Sequence, residues 1–159
     1  MSDYPDFDPS RTTLPEPYLI ALGRVTYLWS SLEGILNMAI AKLLDIGLYD
    51  PKSAIITTHM SWPQRMDMVE SMCEFLNEQH PHLKRFSEIK PKLKKAQEGR
   101  NKLLHGIWTY DAKVVRLLRT SSRGKLKVYM DEILVSEIDD VFLDIGSAST
   151  ELLRLILNK

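Results

Sequence analysis

The segment from about Pro17 to Ile46 constrains the fold of this chain more than any other part of the sequence. Its apolar residues recur every three or four positions, which predicts one long helix. Two neighbouring stripes are Leu22, Thr26, Trp29, Glu33, Leu36, Ile40, Leu43 and Val25, Leu28, Leu32, Ile35, Ala39. A third stripe is small and permits close helix packing: Gly23, Ser30, Gly34, Asn37, Ala41. A helix that is apolar around most of its circumference is central or lies in an oligomer interface.

The rest of the chain up to residue 105 also reads as helical. Residues 1–16 are polar, acidic and proline-containing, and we expect a flexible arm there. Gly47 suits the end of the first helix. Further helices are expected over residues 52–58, from Trp62 to a break at His80-Pro81-His82, and over residues 83–105, where Pro91 is expected to kink or split the helix.

The pattern changes to β-rich between residues 107 and 131. Alternating segments flank a turn signal at residues 121–124, which predicts a β-hairpin. Ser136 is expected to cap a closing helix. The predicted fold is therefore mainly α: one domain over residues 17–159, a four-helix-type bundle with a β-hairpin inserted before the last helix.

Composition narrows the function classes. The chain has 159 residues and equal numbers of basic and acidic residues, 21 each, which argues against coating nucleic acid by bulk charge. A basic run before residue 100 is either a solvated helix face or a local grip on a polyanion. The single cysteine, Cys73, reads as a core residue. With no signal segment or long apolar span, we expect a cytoplasmic protein without a membrane segment. No metal-ligand cluster is recognisable, since His59, His80 and His82 are scattered.

Two charges occupy positions that the apolar pattern assigns to the core. Glu33 lies in a stripe of the first helix, and Arg100 follows Leu93 and Ala96 in a stripe of the third. Because an unpaired buried charge is costly, the simplest hypothesis pairs Glu33 with Arg100. The alternative for each is a rim position with its stem reaching solvent.

Asn101 and His105 are four residues apart and share a helix face. Arg100 lies about 140° around the helix from His105, so we do not expect one helix to direct both side chains at the same atom. Two copies of the helix, one from each chain of a dimer, are expected to do so. A histidine at a helix C-terminus suits proton transfer near neutral pH, and it also serves as a simple cap.

The run Arg100-Asn101-Lys102-Leu103-Leu104-His105 resembles the Arg-polar-x-x-x-His motif of HEPN domains. The similarity spans about Pro17 to Trp108 and includes Leu28-Trp29-Ser30-Ser31-Leu32-Glu33 in the first helix. It implies a dimerising bundle, and many HEPN proteins are metal-independent endoribonucleases that serve as toxins or antiphage effectors.

The resemblance also implies roles for these residues. Arg100 binds the scissile phosphate, His105 is general base or acid, Asn101 orients the phosphate or the histidine, and Glu33 holds Arg100. The expected product is a 2′,3′-cyclic phosphate, formed without metal or cofactor in a composite cleft of a homodimer. Expected partners are RNA and an antitoxin or other protein.

Five further residues are expected to bind the RNA substrate: Lys94, Lys95, Lys102, Trp108 and Tyr110. For Trp108, packing in the core or hairpin is the alternative. Two other functions remain open. The first is a non-catalytic module, since some HEPN relatives only bind nucleotides or proteins. The second is a helical adaptor, in which an Arg–Glu pair only fixes the register of the bundle.

Overall fold

The computed structural model describes residues 14–47, 50–121 and 127–157. Over these residues the chain forms five α-helices and one 3₁₀-helix: α1 (Glu16–Leu43), α2 (Pro51–Thr58), α3 (Trp62–Leu76), the 3₁₀-helix (Pro81–Arg85), α4 (Phe86–Leu104) and α5 (Val135–Ile156). Three strands lie between α4 and α5: β1 (Ile107–Asp111), β2 (Val114–Ser121) and β3 (Lys127–Glu132). The fold is mainly helical, with a small antiparallel sheet before the last helix. Most of the predicted arm (residues 1–13) and of the predicted turn (residues 122–124) lies outside the described residues.

Helix α1 occupies the centre of the fold. It packs against α2, α3, α4 and α5, and its residues Val25, Leu32 and Leu36 are fully buried. The helix ends before Ile46, because Asp45 adopts a left-handed φ of 55° and the Ile46 N–H bonds the Ala41 carbonyl at 2.9 Å. Asp45, and not Gly47, therefore makes the helix stop.

The β region differs from the predicted hairpin, because it is a three-stranded sheet in the order β1-β2-β3. The first reversal uses Ala112 and Lys113, both at positive φ (47° and 67°). Such a turn usually carries Asn or Gly, so these residues gave no turn signal in the sequence. Val115 and Leu117 on one face of β2 are buried, and they seat the sheet on the helices.

Helix α4 differs from its prediction in one respect, and α5 in another. Pro91 does not split α4, which runs unbroken from Phe86 and is preceded directly by the 3₁₀-helix. Ser136 does not cap α5, because the helix already begins at Val135. There the Glu137 carboxylate accepts the Leu134 N–H at 2.9 Å and satisfies the end of the helix.

Membrane crossing requires a helix that is both long and apolar. None of the helices in the described ranges meets both conditions.

Candidate functional site

Arg100 and His105 meet at the C-terminal end of α4. His105 caps the helix with φ −107° and ψ 7°, and its N–H still bonds the Asn101 carbonyl at 3.2 Å. The Arg100 Nη1 atom lies 3.1 Å from His105 Nε2 and 3.1 Å from Asn101 Oδ1. The three residues of the motif therefore converge within one chain.

This convergence overturns the expectation that one helix cannot direct Arg100 and His105 at the same atom. The angle of about 140° applies only while both residues have helical backbone. His105 has left the helix, and the long arginine side chain spans the remaining separation. Geometry alone therefore does not require a second chain to bring these two residues together.

The contact between Arg100 and His105 sets the direction of one hydrogen bond and leaves the rest of the imidazole open. A guanidinium has donors and no acceptor, so His105 Nε2 must accept this hydrogen bond. Because His105 is exposed, the ring is open to a substrate that approaches from solvent.

The guanidinium of Arg100 also packs against an aromatic ring. Its Cζ atom lies 5.4 Å from the centroid of Trp29, whose side chain is buried in α1. The Arg100 Nε atom is buried and has no hydrogen-bond partner. Among the described residues, no carboxylate forms an ion pair with Arg100. An arginine that meets only neutral acceptors and a ring is a ready site for an anion.

The predicted pair of Glu33 with Arg100 is wrong. The Glu33 carboxylate binds Arg65 on α3, with Oε1 3.1 Å from Nη2, and the Arg65 Nη1 donates to Asn37 Oδ1 at 3.0 Å. Glu33 and Asn37 lie one turn apart on α1 and face the first turn of α3, so both can reach Arg65. Glu33 therefore does not hold Arg100 directly.

Sequence reasoning missed Arg65, Trp29 and Trp62 as parts of this region. The rings of Trp29 and Trp62 pack with centroids 4.4 Å apart, and Arg65 lies three residues after Trp62. A signal was present, because Trp29, Glu33 and Asn37 follow one another at four-residue intervals. A single sequence does not show which element faces that stripe.

The basic run before Arg100 is largely neutralised by carboxylates. In α4, Lys94 pairs with Glu98 at 4.0 Å and Lys95 with Asp144 at 2.9 Å. The other pairs of the run are Arg85–Glu151, Lys90–Glu70 and Lys92–Glu151. Exposed pairs of this kind stabilise little, yet they cancel charge. Lys94 and Lys95 are thus less available to RNA than the sequence suggested.

The remaining three residues that were expected to bind substrate lie around the end of α4. Lys102 is half-buried and forms no ion pair within the described residues. Trp108 packs against the core, and its Nε1 donates to the Leu103 carbonyl at 2.9 Å, so it closes the helix end. Tyr110 on β1 is exposed and remains open to a stacking partner.

Two other features lie apart from this site. A cavity of about 520 Å³ near the end of α1 is lined by residues that include Lys42, His80 and His82, but not by Arg100 or His105. Burial, with a smaller contribution from Glu70, raises the pKa of the Cys73 thiol to about 11, which opposes a role as nucleophile. Over the described part of the chain, no group of three or more His, Cys, Asp or Glu side chains is placed to hold a metal ion.

The Arg100–Asn101–His105 cluster thus combines a guanidinium that has no carboxylate partner among the described residues with an exposed imidazole. Comparison of the chain with protein-family models, with curated proteins and with solved structures gave no match.

Proposed function

We propose that this protein is a HEPN-like, metal-independent endoribonuclease that acts as a cytoplasmic toxin or antiphage effector. One observation carries the proposal: Arg100, without a carboxylate partner among the described residues, lies 3.1 Å from the exposed imidazole of His105. Cleavage of RNA through its own 2′-hydroxyl needs a cation at the phosphate and a group that moves protons, and this pair supplies both. The similarity of the motif to HEPN domains supports the same reaction.

The chemistry follows from the contacts of Arg100. An arriving phosphate carries a negative charge and attracts the guanidinium more strongly than a ring nitrogen does, so Arg100 exchanges His105 for a phosphate oxygen. The Nε2 lone pair is then free to accept the proton of the 2′-hydroxyl. The 2′-oxygen attacks the phosphorus, the bond to the 5′-oxygen breaks, and a 2′,3′-cyclic phosphate forms while the leaving oxygen takes up a proton.

A second copy of the chain fits this reaction. The reaction removes one proton from the 2′-hydroxyl and delivers another to the 5′-oxygen. Each chain places one histidine, His105, in contact with Arg100. We therefore retain the homodimer as part of the proposal, with one unprotonated His105 that takes the proton of the 2′-hydroxyl and a counterpart, already protonated, that gives its proton to the leaving 5′-oxygen. In this arrangement each chain contributes a complete Arg–His pair. An antitoxin or other partner protein would cover the exposed site.

Incubation of RNA with purified protein in EDTA tests the proposal. We expect wild type to leave 2′,3′-cyclic phosphate ends, and Arg100→Ala and His105→Ala to lose activity by about 100-fold or more. Arg154→Ala and His80→Ala are matched controls, because these residues are exposed and lie outside the cluster.

Equal cleavage by wild type and His105→Ala would show that the activity comes from another source. RNA binding without cleavage by a folded wild type would favour the alternative, a non-catalytic module that binds nucleotides or a partner protein.

A further inference from the structure

Arg100 packs on Trp29, which in turn packs against a second tryptophan, Trp62, from another helix. Trp29 comes from the middle of α1 and Trp62 from the first turn of α3. Their exposed fractions are 5% and 7%, and their ring centroids lie 4.4 Å apart with the planes inclined by 40°. The guanidinium of Arg100 lies over Trp29, with its Cζ atom 5.4 Å from the Trp29 ring centroid.

The Trp62 ring also lies near a second arginine, Arg65. The Arg65 Cζ atom lies 6.0 Å from the Trp62 centroid, and Glu33 and Asn37 bind the guanidinium of Arg65. The Arg65 side chain is only 12% exposed, so this ion pair is better shielded than the lysine pairs of α4. The order of contacts is therefore Glu33–Arg65–Trp62–Trp29–Arg100.

We infer that Trp29 is a positioning residue of the site, which fixes the guanidinium of Arg100 beside His105, and that the Glu33–Arg65 pair supports it through Trp62. This inference rests on the proposed function for its effect on catalysis. Glu33, expected to hold Arg100 directly, then acts at a distance through two aromatic rings.

The physical reason is the freedom of the arginine side chain. Arginine has four rotatable side-chain bonds, and the buried Nε atom of Arg100 has no hydrogen-bond partner to hold it. The electron-rich face of Trp29, 5.4 Å from the Arg100 Cζ atom, attracts the guanidinium instead. With the plane held in this way, Nη1 contacts His105 and then a phosphate with little reorganisation, which is the condition for fast chemistry. Without the ring, the guanidinium samples other rotamers.

Substitution of Trp29 tests the inference. A phenyl ring retains an aromatic face, so Trp29→Phe should keep kcat within about threefold of wild type, whereas Trp29→Leu should lower kcat by about tenfold with a smaller change in KM. Leu36→Ala is a matched control, because Leu36 is a fully buried residue of the same helix outside the Arg100 contacts.

A double-mutant comparison separates positioning from general support of the fold. If Trp29 acts through Arg100, Trp29→Leu should cause no further loss of activity in the Arg100→Ala background. A further loss of about tenfold there, or an equal loss in Leu36→Ala, would overturn the inference and leave Trp29 as a packing residue.

A readout without RNA distinguishes failure of this inference from failure of the proposed function. The Nε–H of Arg100 is buried, so its NMR signal should persist in wild type and Trp29→Phe and broaden through solvent exchange in Trp29→Leu. This result together with no RNA cleavage would reject the nuclease and leave the positioning role standing. An unchanged Arg100 Nε–H signal in folded Trp29→Leu would reject the positioning role.

Discussion

Arg100 and Lys95 are cations of the same helix, but their surroundings give them different uses. Lys95 faces Asp144 at 2.9 Å, whereas Arg100 faces the Asn101 amide, the His105 imidazole and the ring of Trp29, and none of these is a carboxylate. A guanidinium that meets neutral acceptors keeps its full charge for an incoming anion. The motif residue, and not the lysine-rich run before it, is therefore the electrostatic centre of the site.

Cys73 gives a prediction about pH. Burial raises the pKa of its thiol from 9.0 to about 11, so the folded state holds this proton more tightly than the unfolded state does. A group whose pKa is raised on folding stabilises below its unfolded pKa, and this contribution disappears as pH rises through the folded value. We expect the free energy of unfolding in urea, under reducing conditions, to fall more between pH 8 and pH 11 for wild type than for Cys73→Ala. Equal losses would show that Cys73 titrates normally.

At the scale of elements, the junction between α4 and β1 positions the histidine. His105 ends the helix, Gly106 follows, and Trp108 ties β1 back to the Leu103 carbonyl. A Cβ on Gly106 would collide with the buried side chain of Leu117 and would approach the Leu118 carbonyl to 3.1 Å. The absence of a side chain at Gly106 is what lets the sheet lie close to the end of α4.

Gly106→Ala is therefore expected to lower the free energy of unfolding by about 1–3 kcal/mol, because the extra methyl group overpacks the junction. Gly34→Ala is the matched control. Nothing lies within 4 Å of a Cβ at Gly34, and alanine in an exposed helix interior should raise the stability by about 0.5–1 kcal/mol. Urea denaturation measures both changes. A Gly106→Ala protein as stable as wild type would contradict the close packing described here.

The helices were easier to predict from the sequence than the strands. The prediction for α2 (Pro51–Thr58) was correct to within one residue, and α3 (Trp62–Leu76) began where expected. Each helix has a proline in its first turn, and α3 also has a continuous apolar stripe. Both are local signals that a sequence shows directly. The extra strand was missed because Ala112 and Lys113 form a left-handed turn without the usual residues. Turn conformations of this kind are imposed by the pairing of the flanking strands, which local sequence does not reveal.

The same limit explains which residues of the candidate site could be predicted from the sequence and which could not. Arg100, Asn101 and His105 were identified because they lie close together in sequence at a predicted helix end. The partner of Glu33 was assigned wrongly because it lies 32 residues away on another helix, and both Arg65 and Arg100 carry the required charge. Only the packing of α3 against α1 decides between them.

At the scale of the whole molecule, the proposed dimer predicts how variant chains affect wild type. The experiment refolds wild-type chains together with about a tenfold excess of His105→Ala chains, so that most wild-type chains pair with a variant chain. If each site needs a histidine from both copies, the activity per wild-type chain should fall about tenfold. The same excess of His80→Ala should leave activity per wild-type chain unchanged. Unchanged activity in the His105→Ala mixture would show that one chain suffices.

The pairing of the α4 lysines with carboxylates also governs how the protein meets a polyanion. Lys90, Lys92, Lys94 and Lys95 each face an acidic partner, and the whole sequence has no net charge. Long-range attraction accelerates association only when a surface carries an excess of one sign of charge. We therefore expect this surface not to draw the proposed RNA substrate toward the site from a distance, so that selectivity arises only in contact with Arg100 and its neighbours. A nuclease that acted through the proposed site would therefore search slowly and leave most of the RNA that it meets uncleaved.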